Sequence, residues 1–199
     1  MSDELQIPEL VLASISPRRA LLLRQVGIPF IVIPPQARES MPVNGNFSET
    51  VIRNAEDKAV SVVSASAGRA IVGADTIVDL DGRALGKPQD RREACLMLQQ
   101  LSGRTHRVHT GLVLLDPASN LIYREHALTS VTFRELLPTE IEAYLDSGEP
   151  FDKAGAYGIQ ERGALFISNI EGCFFNVMGL PLAKFWEMLL RWRRQTGNL

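Results

Sequence analysis

The chain has 199 residues, 45% of them hydrophobic, and a formal net charge of −2 at pH 7. These values fit one domain with a sizeable core, and they exclude a strong overall basic field that would attract nucleic acid or an anionic membrane. A negatively charged ligand would therefore have to be met by a local cluster of basic side chains.

The first half of the chain alternates between strand and helix patterns. In chain order it predicts a buried strand at 9–14, a helix at 16–27, a strand at 28–35, a polar irregular stretch at 36–46, a helix at 48–65 and a strand at 70–80. Ser16 is a suitable N-cap for the first helix, and Pro17 suits its first turn. The pair Asp81-Gly82 is a hairpin signal that ends the third strand.

The second half continues this alternation. It predicts a helix at 90–103, two long strands at 106–116 and 121–136, a helix at 137–149, a glycine-rich irregular segment at 152–163, a strand at 164–172 and an amphipathic helix at 180–194. We expect the two long strands to be antiparallel neighbours. The whole pattern favours an α/β fold around a mixed sheet, with α+β as the alternative.

The N-terminus, the apolar runs and the cysteines indicate the cellular compartment. The N-terminus is acidic and lacks the apolar segment of a signal peptide, and no apolar run approaches the ~20 residues of a membrane span. Cys95 and Cys173 lie far apart and form no CxxC motif, which favours a reducing compartment. We therefore expect a cytoplasmic protein with one domain over residues 1–199, of which 1–8 form a flexible N-terminus.

Three residues conflict with their predicted surroundings. Arg18 and Arg19 lie in the first turn of a helix, where the positive end of the helix dipole disfavours cations. A bound anion such as phosphate would remove the conflict, and two solvated arginines would fit equally well. Asp75 interrupts an apolar strand, so its carboxylate should be paired, metal-bound, exposed at a cleft or bonded to backbone N–H groups. In a regular strand its neighbour Thr76 points to the opposite side.

Other charged residues stand in loops or on exposed edges. Lys87 precedes a proline, and Lys153 precedes a glycine-rich run. Lys58 lies on the exposed edge of a helix, and Glu39 lies in the polar loop after the second strand. Each alone is most often a solvated surface residue. Together with the carboxylate and the arginines above, they suit a polyphosphate and a hard divalent cation with oxygen ligands.

Several familiar motifs are absent from the sequence. There is no GxxxxGK[ST], GxGxxG, HExxH or GxSxG, which argues against a P-loop, dinucleotide-binding, zinc protease or serine hydrolase site. His106 and His109 lie three apart in a strand, so they should face opposite sides and are poorly placed to chelate one metal. The aromatic residues do not alternate with a basic patch, which argues against nucleic-acid binding.

Seven stretches stand in a specific order and spacing: "LASISPRRALLLRQVGIPF", "NAEDKA", "IVGADTIV", "LGKP", "LSGRTHRVHTG", "VTFRELLPTEIEAYLDSGEPFDKAGAYGIQ" and "NVMGLPL". In this combination they resemble the Maf family of nucleoside triphosphate pyrophosphatases, also called septum formation inhibitor-like proteins, from about Leu10 to Leu190. The resemblance implies an α/β fold with an elongated mixed sheet flanked by helices, and two lobes with a central nucleotide-binding cleft. It also implies hydrolysis of a nucleoside triphosphate to monophosphate and pyrophosphate with a divalent metal, Mg²⁺ or Mn²⁺.

The resemblance further implies roles for individual residues. Asp75 matches the family's catalytic general base or metal-side carboxylate, and Glu39 matches a second metal-binding position. The phosphate- or substrate-binding positions correspond to Ser14, Arg18, Lys58, Lys87 and Lys153. The strand would then deliver Asp75 to the cleft, and the hairpin after it would return Lys87 toward the phosphates.

One branch of the family prefers dTTP and UTP, and another prefers 7-methyl-GTP. This chain carries "SPRR", "GADT" and "YGIQ", which look like the pyrimidine branch and give Arg18, Thr76 and Gln160 as the specificity positions. The amide of Gln160 offers a donor and an acceptor, which match O4 and N3–H of uracil and thymine. Two departures stand out: "GCFFNV" has phenylalanine where a tyrosine is common, and Glu161 stands where the family usually has glycine. The second adds a charge beside Gln160 and bears on the substrate range.

Several hypotheses of function stay open at this point. The leading one is a pyrophosphatase of dTTP and UTP, and of modified pyrimidine analogues in a housecleaning role. The alternatives are the same reaction on 7-methyl-GTP, a non-enzymatic regulator of cell division, and a nucleotide sensor without turnover. The expected partner is a nucleoside triphosphate, with no nucleic acid polymer and no membrane. The resemblance also leads us to expect a homodimer, with the apolar stripe of the last helix as a candidate contact.

Overall fold

In a computed structural model, which describes residues 7–197, the chain forms a seven-stranded mixed sheet with six α-helices. The strands are β1 (Leu10–Ala13), β2 (Phe30–Val32), β3 (Ile71–Leu80), β4 (Arg83–Leu85), β5 (Thr105–Asp116), β6 (Leu121–Phe133) and β7 (Ile167–Glu171). The helices are α1 (Pro17–Gln25), α2 (Phe47–Val60), α3 (Arg91–Leu101), α4 (Pro138–Asp146), α5 (Phe174–Val177) and α6 (Leu182–Thr196).

The sheet has the order β2-β1-β3-β5-β6-β7, with β4 paired to β3 outside this order. β1 runs parallel to β2 and β3, whereas β3, β5, β6 and β7 follow one another antiparallel. The expected α/β fold with a mixed sheet, and the antiparallel pairing of the two long strands, are therefore confirmed. The division into two lobes and the single domain over 1–199 stay predictions. The flexible N-terminus expected at 1–8 lies mostly outside the described residues.

Helices cover both faces of the sheet because successive strand residues point to opposite sides. One buried cluster joins Leu12 and Val72 to α1 and α6. A second joins their neighbours Val11 and Ile71 to α2 on the other face. A third surrounds Val78, farther along β3, beneath α3 and α4. None of the helices that the structure describes is long and apolar enough to cross a membrane.

The structure differs from the sequence-based elements at several places; β2, for example, spans Phe30–Val32 rather than 28–35. α2 ends at Val60 rather than at 65, and the hydroxyl of Ser61 donates to the carbonyl oxygen of Lys58 at 2.8 Å, which competes with a further helical turn. β7 begins at Ile167 because a 3₁₀ helix occupies Arg162–Phe166. Sequence periodicity missed α5, whose four residues span barely one turn.

One edge of β3 is left unpaired over a short stretch. Within residues 7–197, β1 pairs with β3 only from Ile71 to Gly73, and β4 pairs with it only from Val78 to Leu80. In the part of the chain that the structure describes, residues 74–77 therefore have no neighbouring strand on that side, although β5 pairs with them on the other. This gap lets side chains from both faces of β3 reach one space, and the candidate site lies there.

Candidate active site

The gap in the sheet opens into a cavity of about 320 Å³. Asp75 and Thr76 both line it, although their side chains leave β3 on opposite faces, as the strand alternation predicts. The other lining residues that matter below come from the turn before α1, the first turn of α1, the loop before α2, α2 itself, the segment after β4 and the segment after α4. They are Ser14, Arg18, Arg19, Glu39, Asn54, Lys58, Lys87, Asp152, Lys153 and Tyr157.

Asp75 is the most enclosed acid of the cavity, with 4% of its surface exposed. Its Oδ1 accepts a hydrogen bond from Lys58 Nζ at 2.5 Å, and its Oδ2 accepts one from Asn54 Nδ2 at 2.8 Å. Both oxygens are therefore held, as a buried carboxylate requires. Asn54 also bonds the backbone N–H and carbonyl of Ser40, each at 2.9 Å, and so fixes the loop that carries Glu39.

Lys58 lies between two carboxylates. Its Nζ is 2.5 Å from Asp75 Oδ1 and 2.6 Å from Glu39 Oε1, and 3.5 Å from the carbonyl oxygen of Ala74. Lys58 and Asp75 are buried, whereas Glu39 is half exposed on its loop. We call Glu39, Asn54, Lys58 and Asp75 the carboxylate side of the cavity.

Two glycines allow α2 to reach this position. A Cβ on Gly73 would lie 2.1 Å from the carbonyl oxygen of Ala55, and one on Gly111 would lie 2.2 Å from that of Val51. The helix backbone thus rests directly on β3 and β5. Asn54 and Lys58, four residues apart on one face of α2, reach Asp75 from there.

Arg19 is a buried part of the cavity wall, and its guanidinium is already hydrogen-bonded, so it is not free to bind an anion. Its guanidinium donates to the carbonyl oxygen of Gly179 at 2.8 Å and to the hydroxyls of Ser14 and Thr76, each at 3.1 Å. Thr76 Oγ1 also lies 2.9 Å from Thr110 Oγ1. Burial lowers the pKa of Arg19 from its usual value, and the nearby Asp75 opposes that shift. Of the two arginines at the start of α1, only Arg18 is left to face a ligand.

Arg18 and Lys153 meet at Asp152. Arg18 Nη1 lies 2.8 Å from Asp152 Oδ2, and Lys153 Nζ lies 2.7 Å from Asp152 Oδ1. Burial alone would raise the pKa of Asp152, but the hydrogen bond from Lys153 and the charge of Arg18 outweigh it and lower that pKa. Lys153 also donates to the carbonyl oxygen of Glu149 at 2.7 Å and lies 4.0 Å from the carboxylate of Glu161.

Lys87 completes the positive groups around the cavity. It is exposed, and among residues 7–197 the structure shows no ion pair for it. The carbonyl oxygen of its neighbour Gly86 accepts from the N–H of Gly155 at 3.0 Å, which ties the Lys87 turn to the segment of Lys153. We call Arg18, Lys87 and Lys153 the basic side.

The structure brings most of the sequence-predicted residues to one place. Eight of them line the cavity: Ser14, Arg18, Glu39, Lys58, Asp75, Thr76, Lys87 and Lys153. Gln160 does not line it. Its side chain is exposed, one residue beyond the lining residue Ile159.

Sequence reasoning missed three residues of the site. Asn54 could have been found from its spacing to Lys58, since residues four apart share a helix face. Asp152 stands directly before Lys153, but nothing in the sequence indicates that it also reaches Arg18. Tyr157 lines the cavity and bonds His106 Nε2 at 2.7 Å, a contact over 51 residues that no local pattern reveals.

The two strand histidines face opposite sides, as predicted. His106 is buried against Tyr157 and Phe133, and burial lowers its pKa to about 4. His109 stacks on Phe47 on the other face, and its Nδ1 lies 3.1 Å from a ring nitrogen of His126. Their side chains are therefore poorly placed to chelate one metal ion.

Comparison with known proteins places the chain in a family. The family model described as Maf-like protein matches residues 9–192. A protein of Carboxydothermus hydrogenoformans is 44% identical over 92% of this chain and 98% of its own length. Proteins of Moorella thermoacetica and Symbiobacterium thermophilum are 48% and 49% identical, each over 91% of this chain and over 93% and 92% of their own lengths. All three are named dTTP/UTP pyrophosphatase. Because the match spans nearly the whole sequence, this chain belongs to the Maf family.

Proposed function

We propose that this protein is a pyrophosphatase that hydrolyses dTTP and UTP to the nucleoside monophosphate and pyrophosphate. The observation that carries this proposal is a buried carboxylate, Asp75, in a cavity whose other side presents Arg18, Lys87 and Lys153. A triphosphate needs such a cluster of cations, since the chain as a whole has a net charge of −2. The names of the relatives support the same reaction and the same substrates.

The carboxylate side fits a hard divalent cation. The oxygens of Glu39 and Asp75 converge on one point, which Lys58 Nζ occupies at 2.6 and 2.5 Å. Among residues 7–197 no group of three or more His, Cys, Asp or Glu side chains is placed to hold a metal ion. Mg²⁺ commonly uses one or two carboxylates and takes its other ligands from water and substrate phosphates. Glu39 and Asp75 would hold Mg²⁺ or Mn²⁺, which when bound would neutralise charge that develops on the phosphates.

The residues of the chain supply positioning and proton transfer. Asp75 accepts the proton of a water molecule whose oxygen attacks the α-phosphorus, while Asn54 holds the carboxylate in one orientation. The new P–O bond forms as the bond between the α-phosphorus and its bridging oxygen breaks. Pyrophosphate then leaves on the basic side, where Lys87 and Lys153 bind its charge.

Three residues are expected to read the nucleobase. Arg18 and Thr76 shape the end beside α1, where Thr76 is fixed by Arg19 and Thr110. Gln160 is exposed one residue beyond the lining residue Ile159, and we expect its amide to pair with O4 and N3–H of uracil or thymine. The same proposal includes a cytoplasmic location, one domain in two lobes around the cavity, and a homodimer.

The test is pyrophosphate release from dTTP, UTP, CTP, GTP and 7-methyl-GTP with Mg²⁺ or Mn²⁺. Wild type should turn over dTTP and UTP, and Asp75→Asn should lose at least about a hundredfold in kcat. Asp81→Asn, the same change in the hairpin after β3, is the matched control and should keep full activity. Turnover of 7-methyl-GTP alone would reject the pyrimidine specificity, and silence with all five nucleotides would reject the reaction.

A further inference from the structure

Lys58 stands where a cation shared by two acids would stand. Its ammonium group contacts Asp75 Oδ1 at 2.5 Å and Glu39 Oε1 at 2.6 Å, and it is buried with 6% of its surface exposed. One positive charge thus balances two negative ones. A divalent cation about 2.1 Å from the same two oxygens would overlap the ammonium group, so both cannot occupy this point.

The surroundings hold Asp75 in place and allow the side chain of Lys58 to move. Asp75 is fixed from behind by Asn54 Nδ2 at 2.8 Å, and α2 is fixed by its backbone contacts at Gly73 and Gly111. Lys58 carries its charge on a flexible four-carbon chain, whereas a carboxylate on a strand has little freedom. The cavity beside Lys58 is the space that phosphates would fill.

We propose that Lys58 is an internal counter-cation that holds Glu39 and Asp75 together in the free protein and transfers to the substrate phosphates when a divalent cation binds. This inference rests on the proposed function, because it takes a triphosphate as the second ligand. A buried ammonium group needs an anionic partner, and a phosphate can replace the carboxylates that the metal has taken. Metal alone would leave Lys58 without that partner.

It follows that metal and nucleotide bind cooperatively through Lys58. The free protein binds the divalent cation weakly, because binding must first displace Lys58. The nucleotide offers Lys58 a new partner and so raises the metal affinity, and by linkage the metal raises the nucleotide affinity by the same factor. Removing the ammonium group should therefore tighten metal binding in the absence of nucleotide.

The experiment measures the Kd of Mn²⁺ by titration calorimetry or by electron paramagnetic resonance, with no nucleotide present. Lys58→Met should bind Mn²⁺ at least about tenfold more tightly than wild type. Lys87→Met removes the same charge from the same cavity without touching either carboxylate, and it should change this Kd less than about threefold. An unchanged or weaker affinity in Lys58→Met, or equal tightening in both variants, would overturn the proposal.

A second titration adds the non-hydrolysable α,β-imido analogue of dTTP. The analogue should tighten Mn²⁺ binding by a larger factor in wild type than in Lys58→Met, because only wild type has Lys58 to release. An equal factor in both proteins would also overturn the proposal. Circular dichroism establishes that the variants are folded. If Lys58→Met does not fold, Lys58→Gln must give the same two results.

These titrations involve no turnover, so they are independent of the reaction itself. Wild-type protein that releases no pyrophosphate from dTTP or UTP would reject the proposed function. The titration with Mn²⁺ alone would still decide whether Lys58 occupies the position of the cation.

Discussion

The two sides of the cavity differ in what holds their charged groups. On the carboxylate side, Asp75 and Lys58 stand on a strand and a helix, are buried, and bond to each other. On the basic side, Arg18 stands at the first turn of α1, the exposed Lys87 lies in irregular chain after β4, and the buried Lys153 lies between two short 3₁₀ helices. The core fixes Asp75 and the backbone of Lys58, as catalysis requires, whereas the exposed Lys87 can adjust to a ligand.

The largest effect on the carboxylate side is expected from a substitution that pushes α2 away from the sheet. Gly73→Ala would place a methyl group 2.1 Å from the carbonyl oxygen of Ala55, so the helix must shift. We expect the free energy of unfolding to fall by roughly 3 kcal/mol or more, as measured by urea denaturation.

The matched control for this prediction is Gly86→Ala, on the basic side. Its new methyl group would lie 3.5 Å from Met41 Cε, which is ordinary contact. It should change the unfolding free energy by less than about 1 kcal/mol. Equal losses in the two variants would show that the carboxylate side is not the more rigid one.

A smaller change removes the hydrogen bonds of Asn54, one of which supports Asp75. Asn54→Ala deletes the hydrogen bond to Asp75 Oδ2 and both bonds to the Ser40 backbone. Under the proposed function, we expect kcat for dTTP to fall about ten- to a hundredfold while KM changes little, because Asn54 positions a catalytic group without touching the substrate.

Steady-state kinetics with dTTP checks this expectation. Asn46→Ala, the same substitution at the exposed start of α2, should leave kcat unchanged. A rise in KM without loss of kcat in Asn54→Ala would place Asn54 with the substrate-binding groups instead.

The smallest expected effect comes from the charge of Glu161, which lies beside Lys153 on the basic side. Glu161 lies 4.0 Å from Lys153 and is exposed, so its charge weakens the attraction of Lys153 for phosphate only through water. Under the proposed function, Glu161→Gln should lower KM for dTTP about two- to threefold at low salt and leave kcat unchanged. The effect should fade as salt rises, since exposed charges are screened.

Glu171→Gln on β7 serves as the control for Glu161, since it removes an exposed carboxylate that does not line the cavity. It should leave KM unchanged at every salt concentration. A KM for Glu161→Gln that stays lowered in high salt would indicate a direct contact with the substrate rather than a screened charge.

Sequence patterns were enough for the fold class and for most of the charged residues that line the cavity. Hydrophobic periodicity predicted five of the helices and the long strands, and Asp75 stood out because a carboxylate interrupts an apolar strand. The gap at 74–77 could not be predicted, because it depends on where β1 and β4 happen to stop along β3. No hairpin turn joins β1 to β3, so no local turn fixes the register between them.

The same limit applies to the pairs that complete the site. Arg18 and Asp152 are 134 residues apart in the sequence and form an ion pair. The two arginines of α1 have different roles because only Arg19 reaches Gly179 and Thr76. Their position in the first turn of a helix predicts an unfavourable interaction with the helix dipole for both arginines. Only the tertiary structure shows that the guanidinium of Arg19 is bound within the cavity wall.

The gap in β3 has a consequence for the behaviour of the protein in a crowded solution. Free strand edges expose backbone N–H and C=O groups that can pair with another chain and start aggregation. Here Ala74, Asp75 and Ile77 are buried and Thr76 is partly buried, and the last three of these four gap residues line the cavity. The molecule thus leaves an edge open for a small ligand while keeping it out of reach of a neighbouring strand.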